Sequence, residues 1–123
     1  MKYTLLWLDD LRKPDDFYLD KFSQIDCDLD ELDVTWVKTE EEFKSYIQDK
    51  GLPIGICFDH DLGPGGSGYE CAKFLVEYCL THNLDIPLYD IQSMNPVGKR
   101  AIDCLLSNYH KFYIGKKWIS KQL

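Results

Sequence analysis

At 123 residues, with 45% hydrophobic and 14% aromatic content, the chain is sized for one domain with a modest core, and its composition excludes disorder. Acidic residues outnumber basic ones 21 to 14, a net charge of −7, which argues against a polyanion gripped broadly by charge but leaves room for one phosphate held locally. The five cysteines are scattered without a C-x-x-C pair, and no stretch is long enough to span a bilayer. A soluble, cytoplasmic protein with no membrane partner is expected.

Tyr3 to Leu8 is a short, almost wholly apolar run that ends in Asp9-Asp10, as a strand buried on both faces would. Pro14 suits the first turn of a helix to about Phe22, and the acidic stretch after it (Asp26, Asp28, Asp30, Glu31, Asp33) suits an exposed loop. Val34 to Lys38 is β-branched and aromatic, a second strand. Thr39 and Glu42 form a capping box for a helix with Phe43, Tyr46 and Ile47 on one face, stopped by Gly51 and Pro53. Ile54 to Phe58 is a third strand that again ends in acid, Asp59.

Gly63 to Gly68 predicts a flexible loop at the rim of a pocket, and these glycines lack the Lys-Ser/Thr of a nucleotide-binding loop. The helix after it carries Ala72, Leu75, Val76, Cys79 and Leu80. Pro87 to Ile91 makes a fourth strand. Asn95-Pro96 opens a last helix with Val97, Ala101, Ile102, Leu105, Leu106 and Tyr109 inward. Phe112 to Ile114 has the composition of a short edge strand, and too little chain follows for a fifth full helix. His82 and His110 are expected at helix ends on the surface, and the three tryptophans in packing positions. The strand–helix alternation predicts one α/β domain over residues 1–123, with a parallel sheet of four to five strands and helices on both faces.

Two strands that end in acid place Asp9, Asp10, Asp59 and Asp61 at the carboxyl edge of the sheet, where open parallel sheets bind ligands. Crowded carboxylates repel, and a hard divalent cation, Mg2+ or Mn2+, is the ordinary remedy. A lone Asp-Asp after a strand is more often a cap or turn former; two acidic strand ends shift the balance to a site. Alternation along the strand sets His60 on the other side from Asp59 and Asp61 unless the turn re-aims it. Ser93 ends the fourth strand, and the helix behind Asn95 offers free N–H groups to an anion. Gln92 can hydrogen-bond a phosphate. Lys99 and Arg100 lie about a turn into the helix and are surface charges unless they reach back.

The strand-end Asp-Asp, then Phe58-Asp59-His60-Asp61-Leu62-Gly63, Gly68-Tyr69-Glu70 and Ser93 resemble the response-regulator receiver domain over about residues 3 to 109. In finer detail Leu6-Trp7-Leu8-Asp9-Asp10-Leu11-Arg12-Lys13-Pro14 and Ser93-Met94-Asn95-Pro96-Val97-Gly98 are similar to the cyclic-phosphate processing receiver-like family. The resemblance implies a flavodoxin-like, receiver-like three-layer sandwich whose C-terminal unit is truncated. It implies magnesium on Asp9, Asp10 and Asp59, with the backbone carbonyl of Asp61, and Ser93 beside a phosphoryl group. It also implies processing of cyclic phosphate ends on a small phosphoester or an RNA, with Asp59 as nucleophile or base and His60 as a proton donor. The alternatives are a stand-alone phosphoacceptor receiver in signalling and a non-catalytic metal- or phosphate-binding module. Two departures stand out. The lysine that receivers carry after a fifth strand has only Lys116 or Lys117 as a counterpart, and only if the tail folds back. Gln92 stands where the offshoot tends to have a histidine.

Overall fold

The computed structural model describes residues 3–14 and 32–122. Four strands, β1 (Tyr3–Leu8), β2 (Leu32–Val37), β3 (Gly55–Phe58) and β4 (Leu88–Ile91), form one sheet in the order β2-β1-β3-β4. Every pairing is parallel, and the register sets Trp7 beside Trp36 and Cys57, and Phe58 beside Ile91. The three described helices are α1 (Glu40–Lys50), α2 (Gly68–His82) and α3 (Pro96–Gln122). The result is the parallel-sheet α/β arrangement that the strand–helix alternation predicts, and the three described helices all pack on one face of the sheet.

Side-chain alternation sorts the sheet into two faces. Leu6, Leu8, Ile56, Phe58 and Ile91 point one way, into a continuous core with Phe43 and Ile47 of α1, Cys71, Ala72, Leu75 and Cys79 of α2, and Ile102, Leu106 and Tyr109 of α3. Burying each large apolar side chain here contributes roughly 1.5–3 kcal/mol, so this cluster dominates the stability. Leu5, Trp7 and Cys57 point the other way and are equally buried, packed with Leu32, Val34 and Trp36. The helix expected from Pro14 to about Phe22 and most of the acidic stretch lie outside the described residues; Asp33 of that stretch is in β2.

The helix ends follow the sequence signals. Thr39 Oγ1 accepts the Glu42 N–H and Glu42 returns to the Lys38 N–H, closing the capping box one residue early. Ser67 caps α2 by accepting the Glu70 N–H, and Asn83 ends that helix in the left-handed conformation at φ 56°. Between β3 and α2 the glycine-rich loop is a single 3₁₀ turn, Gly63–Gly65.

The C-terminal expectation is corrected. Phe112 to Ile114 is not an edge strand: α3 runs unbroken from Pro96 to Gln122, straight through Gly115. Tyr109, buried, and Tyr113, packed against the same core, lie at helical spacing and hold the backbone in helix. One internal glycine costs only about 1 kcal/mol against that. Among the described residues no strand pairs with the outer side of β4. His110 is therefore mid-helix rather than terminal, exposed and bonded to Asp85 at 2.7 Å. Trp7 is buried as expected, whereas Trp118 is 63% exposed on the far end of α3. No described helix is long and apolar enough to cross a membrane.

Candidate functional site

β1 lies between β2 and β3, so the chain leaves β1 to one side and later returns on the other. The crevice at the carboxyl ends of β1 and β3 is where such a sheet accepts a ligand. Asp9 and Asp59 sit side by side there, because the Asp59 N–H donates to the Leu8 carbonyl and the Asp9 N–H to that of Val37. Asp10 completes the group: one carboxylate oxygen from each of Asp9, Asp10 and Asp59 lies within 4.8 Å of the others. They open onto a hollow of about 640 Å³.

The three acids differ in their surroundings. Asp9 is 2% exposed and fully engaged: its Oδ1 accepts the N–H groups of Leu11 and Arg12, and its Oδ2 accepts from Arg12 Nε at 3.0 Å. The loop that carries it is pinned by two indoles. Trp36 donates to the Asp9 carbonyl at 2.7 Å and Trp7 to that of Arg12 at 2.9 Å. Asp59 is nearly as buried but less compensated. Burial and the neighbouring Asp9 and Asp10 charges push its carboxyl up to about 6, against the pull of Arg12 and the His60 N–H. Such a carboxylate is short of positive charge.

Around the acids the structure brings in His60, Asp61, Ser93 and Asn95, all of which line the same hollow. Asp61 is exposed and turns its carboxylate to the Gly63 N–H, outside the group of three. Ser93 accepts the Asn95 N–H, and Asn95 Oδ1 accepts the Gly98 N–H, so Asn95 is a helix cap at the rim of the pocket. His60 also lines the hollow, where the chain bends just after β3 and strand alternation no longer applies. Its ring lies against the first turn of α3. A Cβ on Gly98 would sit 2.4 Å from the His60 ring, so only glycine fits there. Among the described residues His60 Nδ1 is the buried side-chain polar atom left without a hydrogen bond. Gly68 is held as tightly: its N–H donates to the His60 carbonyl, and a Cβ there would overlap the Asp59 carbonyl.

Other candidates are placed elsewhere. The Gln92 side chain donates to Asp90, away from the hollow, and it is the Gln92 backbone carbonyl that faces the site. Lys99 and Arg100 line a separate hollow with Tyr89, Asp90 and Asp103. Lys116 reaches Asn83 at the end of α2, and Lys117 lies over the Tyr113 ring. Both are some twenty residues along α3 from its start, roughly 30 Å at 1.5 Å per residue, so the tail does not fold back. Arg12 also belongs to the site. Its guanidinium bridges Asp9, the Gln92 carbonyl at 2.8 Å and Asp59 at 3.8 Å. Its place one turn past an acidic pair was the available sign.

The donor set fits a hard divalent cation. Three carboxylates converge, and one is starved of compensation, which suits oxygen-preferring magnesium or manganese better than a thiolate- or imidazole-bound metal.

No curated protein matches the chain. Among solved structures it is similar to a fusion of the yeast Spc42 trimeric coiled coil, amino acids 181–211, with another structure. That likeness has a TM-score of 0.55 at 17% identity over 85% of this chain and 63% of that one. It is one of fold, and the chain spans less than two thirds of the fusion. The signal receiver domain of a putative LuxO repressor protein from Vibrio parahaemolyticus is similar at a TM-score of 0.46 and 11% identity, over 97% of this chain and 98% of that one. The model of the cyclic-phosphate processing receiver domain matches residues 4–108, most of the length, and the protein belongs to that family.

Proposed function

We propose that the protein is a magnesium- or manganese-dependent phosphoester-processing enzyme acting on a cyclic phosphate end, with a small phosphoester or an RNA terminus as substrate. The observation that carries this reading is the convergence of Asp9, Asp10 and Asp59 at the sheet crevice, beside the capped start of α3 and Ser93. Asp9, Asp10 and Asp59 would hold the cation. When bound, it would supply charge for a phosphate and lower the pKa of a water.

The chain's own residues divide the remaining work. Asp59, at the end of β3 and lining the hollow, would act beside the cation as the nucleophile or as the group that orients an attacking water. Ser93 and Asn95, just ahead of α3, line the hollow and can hold non-bridging oxygens. His60, whose ring packs on Gly98 and which lines the hollow, would give a proton to the leaving oxygen. Lys116 and Lys117 are too far along α3 to retain a phosphoryl group on Asp59. That separation favours turnover over a signalling receiver that stores the phosphoryl group.

The test is an RNA ending in a 2′,3′-cyclic phosphate, offered with magnesium or manganese. Ring opening by the wild type and none by Asp59→Ala is expected. Stable phosphorylation from acetyl phosphate with an untouched cyclic end would replace the enzyme by a phosphoacceptor receiver. Metal binding with neither activity would leave a binding module.

A further inference from the structure

We propose that Arg12 is the anion-holding residue of this pocket: it neutralises the aspartates while the pocket lacks a cation, and takes a phosphate oxygen once a divalent cation is bound. This rests on the metal-dependent reading above and assigns a role that neither the acidic group nor the start of α3 supplies.

The geometry carries it in three steps. Arg12 is the permanent cation among the described residues that line the hollow. Its guanidinium is spread between Asp9 Oδ2 at 3.0 Å, the Gln92 carbonyl at 2.8 Å and Asp59 Oδ1 at 3.8 Å. The last contact is an ion pair too long for a hydrogen bond, so Asp59 is only partly compensated by Arg12.

The donors are also unequally used. Nε serves Asp9 and Nη2 serves Gln92, while among the described residues Nη1 makes no hydrogen bond. The side chain is 38% exposed and lines the hollow, which leaves Nη1 able to serve an incoming group. A guanidinium with a free edge matches the oxygens of a phosphate, which a point charge on a flexible stem does less well.

Finally, the backbone of Arg12 is fixed although its side-chain head is not. Its carbonyl accepts from the buried Trp7 indole, and its N–H donates to Asp9. The head can exchange partners without moving the loop. A cation held by Asp9 and Asp59 weakens their hold on Arg12 by supplying the same charge, which turns the guanidinium over to an incoming anion.

Calorimetry on the full chain separates the two jobs. Manganese is titrated first, and inorganic phosphate is then titrated at saturating manganese, for wild type, Arg12→Gln and Arg12→Lys. In Arg12→Gln manganese should bind severalfold more tightly, because a competing charge is gone. Phosphate should bind roughly ten- to a hundredfold more weakly, the worth of a hydrogen bond to a charged group. Arg12→Lys should keep the wild-type manganese affinity and recover only part of the phosphate affinity. Unchanged phosphate binding in Arg12→Gln overturns the inference and leaves the metal-dependent reading standing. Weaker manganese binding in both variants also overturns it, since Arg12 would then only shape the loop. A wild type that binds no manganese overturns both.

Discussion

Replacing Asp59 by asparagine should stabilise the metal-free protein at neutral pH, and the gain should fade in acid. Asp59 has its carboxyl raised from 3.8 to about 6, chiefly by burial and then by Asp9. A carboxyl that holds its proton more tightly folded than unfolded binds more protons in the native state between those two values. Stability therefore falls as pH rises from about 4 to about 6, and the full cost persists above that. Two units are worth about 3 kcal/mol at pH 7.5. At pH 4.5, where the folded carboxyl is protonated and the unfolded one largely ionised, the cost shrinks to about 1 kcal/mol. Asparagine keeps an acceptor for the His60 N–H and removes the charge. Urea unfolding in chelator should thus show Asp59→Asn more stable than wild type by up to about 3 kcal/mol at pH 7.5, roughly ten degrees in Tm for a chain of this size. The difference at pH 4.5 should be near a third of that. A variant equally stabilised at both pH values, or destabilised at pH 7.5, would refute the burial-and-repulsion account of Asp59.

The other acids and glycines make sharper contrasts. Simple repulsion predicts that Asp9→Asn is stabilising as well, but Asp9 accepts from Leu11, Arg12 N and Arg12 Nε; its amide would face a donor, and a loss of about 1–2 kcal/mol is expected in the same urea experiment. Gly98→Ala drives a methyl into the His60 ring and should cost about 1–3 kcal/mol, with a shifted His60 imidazole resonance in NMR spectra. Gly68→Ala meets backbone rather than a side chain, at Asp59, and should yield little folded protein by circular dichroism. Deleting residues from Gly115 onward removes Trp118 and Ile119, both more than half exposed, and should change the urea midpoint only slightly.

The strands and the acidic crevice were legible because their signal is local. A four- to six-residue apolar run that ends in acid has few other structures available, and two such runs in a parallel order must end at the same edge. The C-terminal segment was less legible because Phe112, Tyr113 and Ile114 suit a strand as well as a helix. What decides is Tyr109 and Tyr113 packing at helical spacing onto the core, a tertiary fact. His60 was discounted by an alternation that stops where the strand stops, and the bend that re-aims it is fixed by the tight approach of Gly68 to the Asp59 carbonyl. Gln92 and Arg12 show a different gap. Residue type pointed to the Gln92 amide, whereas its carbonyl serves the site, and Arg12 reaches across the crevice in a direction that no spacing encodes.

Among the described residues β4 has no outer neighbour, and this bears on how the protein behaves in a crowd. Leu88 and Gln92 send their N–H groups inward, to Ile54 and Phe58 of the β3 side, so Ile91 between them sends its own outward. A bare N–H on a sheet margin is an invitation for another chain to add a strand and for the assembly to grow. Here the Asp90 carboxylate folds back onto the Ile91 N–H at 2.9 Å and accepts from the Gln92 amide through its other oxygen. An intruding strand would find that donor already occupied and a negative charge in its path. The outer margin of β4, which no described strand covers, is thus guarded at Ile91 by a side chain of the strand itself, and Asp90→Ala should turn a solution that stays clear at high concentration into one that scatters light.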